Sequence, residues 1–373
     1  MPVQTLSLKA VNRATLARQL LLAREKITPL RAIERLVGLQ AQEARPPFIG
    51  LWTRLEAFER AHLAKLLHAR KVVRATTMRG TIHLMSAKDF LAFRPTIQPA
   101  LTAGMLSVLR DRAKQLDLEG LVSMSREFFD ERHRTFDDLR KYITAKKLNG
   151  DVRAMAYAVR THLPLVQVPT DDSWAFPTAA DFAVADTWLG VKMDIPKTPR
   201  PVADAETEAL ILRYLAAFGP ATPADAQAWS GLKNLAEHFE RLKKKLRVFK
   251  DERGRELYDL PKAPRPSEDT PAPIRLLPEY DNLVLSHVDR TRIIADKHRP
   301  VLVTKNLRVR ATFLIDGFAA GTWKVDRAKT AAKLTLDPFE SLPKAARGLV
   351  LEEAGRLLQF VEPDAARHEC AVA

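Results

Sequence analysis

ETEALILRYLAAFGPATPADAQAWSGLKNLAEHFERLKKKLRVFKDERGRELYDL, residues 206–260, carries the reading of the fold. In Glu206–Phe218 the apolar residues Leu210, Ile211, Tyr214, Leu215 and Phe218 recur at helical spacing, which lays one stripe of a helix against a core. Thr222-Pro223-Ala224-Asp225 then supplies a cap, a proline at the first helical position and an acidic residue behind it, the signature of a helix start. The spacing predicts a short helix over Ala224–Trp229 that stops at Ser230-Gly231, then a second helix over Lys233–Lys245. Leu246–Phe249 and Glu256–Leu260, around a charged turn at Asp251–Gly254, predict a hairpin. Helix, turn, helix and hairpin make a winged helix. Lys233, Arg241 and Lys244 fall on its second helix, where a DNA-facing surface is expected; the structural alternative is a solvated helix face.

The same rhythm recurs twice upstream. In a second unit, Thr135 and Asp138 cap a helix over Phe136–Lys147, Asn149-Gly150 turns the chain, and Val152–His162 forms the next helix with Arg153 and Arg160. Leu165–Val168 and Trp174–Phe176 predict its hairpin. The first unit is more elaborate, with helices expected at 12–25, 29–37, 48–58 and 61–69 and a β segment over Val72–Met85. Pro261–Pro273 is proline-rich, an extended linker. Beyond it Leu283–Leu285, Val301–Val303, Arg308–Ile315 and Gly321–Val325 have strand periodicity, and a closing helix is expected over Pro343–Gln359. The expected fold is therefore mainly α with small β-hairpins: three tandem winged-helix units followed by a C-terminal β-rich α+β domain. The expected boundaries are 1–115, 116–200, 201–262 and 263–373, and three tandem units make a monomer sufficient.

Composition narrows the partners. Sixty Lys and Arg against 45 Asp and Glu leave a formal charge of +15, a surplus that favours polyanions through counterion release. No apolar run approaches the roughly 20 residues that cross a bilayer. The charged, amphipathic N-terminus reads as a helix and not as a leader. One cysteine, Cys370, allows no intrachain disulfide, which fits a cytoplasmic setting. Nine histidines include no zinc-type cluster and the 14 glycines no phosphate-binding loop, so no metal or organic cofactor is expected. The five tryptophans read as core.

The sharpest chemical signal is Gln40 and Gln42. Thr28 caps and Pro29 starts a helix, and Gly38 offers its stop. If residues 39–42 are extended beyond it, the two carboxamides point the same way; the alternative is a polar surface loop. As one strand, Thr77, Arg79, Thr81 and His83 share a face. Arg79 is then placed to hold a phosphate and His83 to line a pocket, or else Arg79 sits in a salt bridge and His83 is a satisfied, half-buried histidine. His287 and Arg290, in Ser286-His287-Val288-Asp289-Arg290, pose the same choice.

Val37-Gly38-Leu39-Gln40-Ala41-Gln42, Leu51-Trp52-Thr53-Arg54-Leu55, Met78–Leu84, Ala221–Asp225 and Leu277–His287 occur in this order. Together they resemble the bacterial winged-helix DNA-binding family that includes the DNA glycosylases unhooking interstrand crosslinks. The resemblance implies that Gln40 and Gln42, in the Gln-X-Gln form of that family's motif, hold the water that attacks the anomeric carbon of a damaged nucleotide. It implies hydrolysis of N7-alkylated purines, bulky adducts and crosslinks included, within double-stranded DNA and base excision repair, near the nucleoid. Neutral glutamine abstracts no proton at pH 7. A purine alkylated at N7 is already cationic and leaves without a general acid, so positioning a water is the main demand. The rival expectation is a non-catalytic winged-helix protein, a regulator or architectural factor; a third is a protein-interaction scaffold.

Overall fold

The computed structural model describes residues 3–193, 204–304 and 308–373; the expected boundary at 200/201 lies outside them. In the stretch 206–260 helices run over Asp204–Phe218, Pro223–Ser230 and Ala236–Leu242, the last followed by a 3-10 turn at Lys243–Lys245. Thr222 Oγ1 accepts from the Asp225 amide while the Asp225 carboxylate accepts from the Thr222 amide, a reciprocal cap. Gly231, at φ +84°, closes the helix in the left-handed region that glycine tolerates. The next helix starts later than the spacing suggests. Asn234 also takes a positive φ, and Gln227 Oε1 holds the Leu235 amide at 2.9 Å. Strands Arg247–Asp251 and Glu256–Asp259 pair antiparallel, Phe249 opposite Leu257. Thr5–Leu6 adds to this hairpin in parallel, Thr5 opposite Lys250.

The first two stretches share one sheet, crossing the expected boundary at 115/116. Its order is Leu39–Gln40, Ile82–Ser86, Val72–Thr76, Leu165–Gln167, Phe182–Val184, with Ala75 opposite Val166. The strand expected at Trp174–Phe176 is corrected to Phe182–Val184. Ala175 takes a positive φ, and Trp174 packs edge-on to Phe48 with the Arg60 guanidinium 3.9 Å above its ring. The single β segment over Val72–Met85 is likewise two strands around a turn at Met78–Gly80. The first helix ends at Arg18, short of residue 25, because Leu20 takes a positive φ.

The C-terminal part is a five-stranded sheet ordered Arg367–Val372, Ala331–Pro338, Phe318–Arg327, Thr312–Ile315, Arg275–Leu277. Helix Lys344–Val361 packs Val350, Ala354, Leu357 and Leu358 against it. Two expected strands are helical turns, Asn282–Val284 and Arg299–Leu302. The fold is thus a mixture of helices and small sheets.

Buried ion pairs tie distant stretches together. Arg54 meets Asp281 in a bidentate pair at 2.9 and 2.8 Å, both side chains at most 1% exposed. Arg18 meets Asp259 at 2.7 and 2.8 Å. Forked guanidiniums match carboxylates in this way and fix orientation as well as distance. Asn282 donates to the Gly38 carbonyl at 2.9 Å, so the 281–282 segment braces the chain just before Gln40.

Candidate active site

The helix Pro29–Arg35 ends and the chain reverses through Val37 and Gly38, both at positive φ. A Cβ on Gly38 would lie 2.8 Å from Met85 Cγ, so glycine is required where the backbone swings into the edge strand Leu39–Gln40. That strand pairs with Ile82–Ser86, Gln40 opposite His83, and the ladder continues through the Ala41 amide to the Ile82 carbonyl at 2.7 Å.

Both glutamine side chains meet the turn between the two central strands. Arg79, at the head of that turn with φ +57°, donates through Nη2 to Gln40 Oε1 at 2.8 Å and through Nη1 to the Trp229 carbonyl at 2.6 Å. The second contact caps the C-terminal end of helix Pro223–Ser230. Gly231 admits the turn there, its notional Cβ 3.6 Å from the Arg79 backbone. At the foot of the turn the Ile82 amide donates to Gln42 Oε1 at 3.4 Å. Gln40 is 7% exposed and Gln42 open to solvent.

Charge is unbalanced here. Among the described residues no carboxylate pairs with Arg79. Burial pushes its guanidinium down to about 10, and the charge of Arg290 pushes the same way. Arg290, half-buried with Nε unpartnered, is depressed by burial and then by Arg299. Arg74 sits behind the glutamines, donating through Nε to the Ala41 carbonyl at 2.9 Å and through Nη2 to that of Gln42 at 3.2 Å. Burial pushes it down to about 10 as well.

Other expected site residues distribute as follows. Thr81 Oγ1 donates to the Met78 carbonyl, closing the turn. His83 is fully enclosed, Nδ1 3.2 Å from the Thr81 carbonyl. Burial, then the charge of Arg79, pushes it down to about 3. His287 is also enclosed, Nε2 3.0 Å from the Phe218 carbonyl, and burial pushes it to about 3. Of the two alternatives expected for His83 and His287, the structure has the enclosed one: neither side chain is presented at the surface. Arg160 lines a cleft with Gln42. Arg153, Lys233 and Lys244 are exposed. Arg241 is exposed but engaged by Glu208 at 3.1 Å and Asp204 at 2.8 Å. Arg74, Arg54, Asp281 and Asn282 belong to the site's frame; Arg74 stands in none of the motif blocks, and Arg54, Asp281 and Asn282 stand in them with no role assigned, because their partners lie far away in the chain. No group of three or more potential metal ligands occurs among the described residues, and none of their helices is long and apolar enough to cross a membrane.

The fold is similar to that of the DNA glycosylase AlkZ of Streptomyces sahachiroi, with a TM-score of 0.77 over 99% of this chain and 100% of that one, at 20% identity. Among curated proteins none matches the chain. Residues 33–360, which contain the glutamine pair, its turn and the bracing segment, match the family described as DNA glycosylase AlkZ-like, and the chain belongs to that family of DNA glycosylases.

Proposed function

We propose that this glycosylase hydrolyses the N-glycosidic bond of N7-alkylated purines in double-stranded DNA, bulky adducts and interstrand crosslinks included, with a water held by Gln40 and Gln42. The observation that carries the reading is that both amide oxygens accept from one turn, Gln40 from Arg79 and Gln42 from Ile82. Both carboxamides thereby lean on residues 79–82, beside Arg79 and Arg74, which pair with no carboxylate among the described residues.

The two amides are not equivalent. Gln40, gripped by its oxygen, presents its NH2 group away from Arg79 and serves as a donor to the water oxygen. Gln42, with a long 3.4 Å contact and open to solvent, is free to accept a hydrogen bond from the water. The water oxygen bonds to the anomeric carbon as the carbon–nitrogen bond breaks. The bonding pair neutralises the cationic base, which leaves as a neutral alkylpurine, and the water's proton passes to solvent. Positioning and a preorganised field are what such a reaction needs from a protein.

The duplex is proposed to lie along three winged-helix units in tandem, each a helix pair with its hairpin, contacted by Arg79, Arg153, Arg160, Lys233, Lys244 and Arg290. An open cleft suits adducts too large to be flipped into a closed pocket. The protein is proposed to act as a monomer in the cytoplasm, at the nucleoid. Family membership sets aside the regulator and scaffold alternatives. The test is release of 7-methylguanine, and unhooking of a nitrogen-mustard crosslink, by wild type and by Gln40→Ala/Gln42→Ala. Abasic sites that form with wild type and fall at least a hundredfold in the double variant, with DNA affinity retained, support the reading. Equal release by both would move the chemistry to other residues, and release by neither would move it to another lesion.

A further inference from the structure

A cleft of about 400 Å3 opens beside Gln42, lined among others by Arg74, Phe136, Arg160, Gln167 and Phe182. Arg74 and Thr76 share one face of strand Val72–Thr76. Arg160 reaches over from helix Val152–His162, its Nε 3.3 Å from Thr76 Oγ1. Arg74 keeps Nη1, and Arg160 both Nη groups, without a hydrogen bond among the described residues. Neither guanidinium meets a carboxylate among the described residues. Two carboxylates stand on the rim: Asp137 is engaged by Arg140 at 3.0 Å and Lys141 at 3.1 Å, and Glu43 is exposed and attracts Arg74 only from a distance. Gln167, nine-tenths buried, carries an amide oxygen with no partner. A buried and a half-buried cation that repel each other and hold no counterion among the described residues suit an anion.

We propose that this cleft seats one backbone phosphate of the strand that carries the reacting nucleotide, gripped by Arg160 and Arg74. Because Arg74 also holds the Ala41 and Gln42 carbonyls, that phosphate fixes the nucleotide at a set distance from the glutamine pair. The phosphate contact thus positions the sugar, and Arg74 and Arg160 are positioning residues. The inference rests on Gln42 facing the reacting nucleotide; the grip on a phosphate is measurable without any base release.

The test uses duplexes containing an abasic-site analogue, in which one phosphate at a time is replaced by a neutral methylphosphonate. Wild type is expected to lose roughly tenfold in affinity at one phosphate within about two nucleotides of the abasic position, on the same strand, as for a lost charge-assisted contact. Arg160→Gln is expected to bind the unmodified duplex roughly tenfold more weakly, to lose about one unit of salt slope, and to become insensitive to that methylphosphonate. Arg160→Lys, which keeps the charge, retains the sensitivity at the same phosphate and controls for folding. An Arg160→Gln protein that keeps the wild-type sensitivity overturns the proposal, as does a sensitive phosphate on the opposite strand. If the phosphate is found but the Gln40→Ala/Gln42→Ala variant still releases base, the grip stands and the glutamine assignment falls.

Discussion

Arg18 and Arg54 are buried and each is clasped by an aspartate; Arg74 and Arg79 are deeply set and, among the described residues, rest on carbonyl and amide oxygens and, for Arg74, on the Phe176 ring, with no carboxylate partner. The two pairs teach different things. A guanidinium with its own carboxylate is a closed unit that joins segments, here the first helix to the third stretch and residue 54 to residue 281. One held by neutral acceptors keeps its full charge outward, and burial already presses Arg74 and Arg79 down to about 10. Such an arrangement is completed by an anion, and the DNA strand is the one proposed here.

The largest expected effect breaks the closed kind. Arg54→Met, leaving Asp281 buried and alone, is expected to destabilise the fold by about 3–5 kcal/mol in urea denaturation. The double change Arg54→Met/Asp281→Leu should recover much of this, and a single variant of unchanged stability would deny that the pair braces anything. Next comes the open kind. Arg79→Met is expected to lower base release about tenfold to a hundredfold with a smaller loss of stability. Arg79→Lys should rescue little, because one ammonium cannot span Gln40 and the Trp229 carbonyl as a fork does. Full rescue by lysine would reduce Arg79 to a point charge.

Much of this frame was legible. Thr222, Pro223, Asp225 and Gly231 are start and stop signals that act within a few residues, so the third stretch could be read almost element by element. Gly38 marked the break that makes residues 39–40 extended. The Arg54–Asp281 pair spans 227 positions, and nothing local announces it. Trp174 looked like a strand residue because its packing against Phe48 is decided by the tertiary fold. His83 lies on a strand, Ile82–Ser86, that is buried on both faces between two neighbouring strands, and alternation along the sequence does not announce that. Strands Ala331–Pro338 and Arg367–Val372 went unread.

A smaller effect concerns that enclosure. His83 is held neutral, its pKa pushed from an ordinary 6.5 down to about 3. The unfolded chain therefore binds a proton that the folded one refuses as pH falls below 6.5. Stability is lost on acidification through that window, down to about pH 3, by up to about 1.4 kcal/mol per pH unit. His83→Gln should flatten the pH dependence between 6.5 and 5 by one proton in denaturation curves, and an unchanged slope would mean that His83 protonates without penalty. The smallest effect separates paired from unpaired surface cations. Lys244→Ala should reduce the salt slope of duplex binding by about 0.9, whereas Arg241→Ala, already neutralised by Asp204 and Glu208, should leave it nearly unchanged. Equal effects would erase the distinction.

The pairing of Thr5 with Lys250 has a consequence in time. A ribosome working at roughly 5–20 residues per second needs on the order of tens of seconds to travel from one partner to the other. Throughout that interval the first strand has no neighbour, and the helix behind it, Leu8–Arg18, waits for Asp259 and Arg292. The segment around Thr5 is therefore among the last parts to settle, and a nascent-chain binder that holds it would delay addition of Thr5–Leu6 to the hairpin at Arg247–Asp259 more than folding of the sheet that carries Gln40.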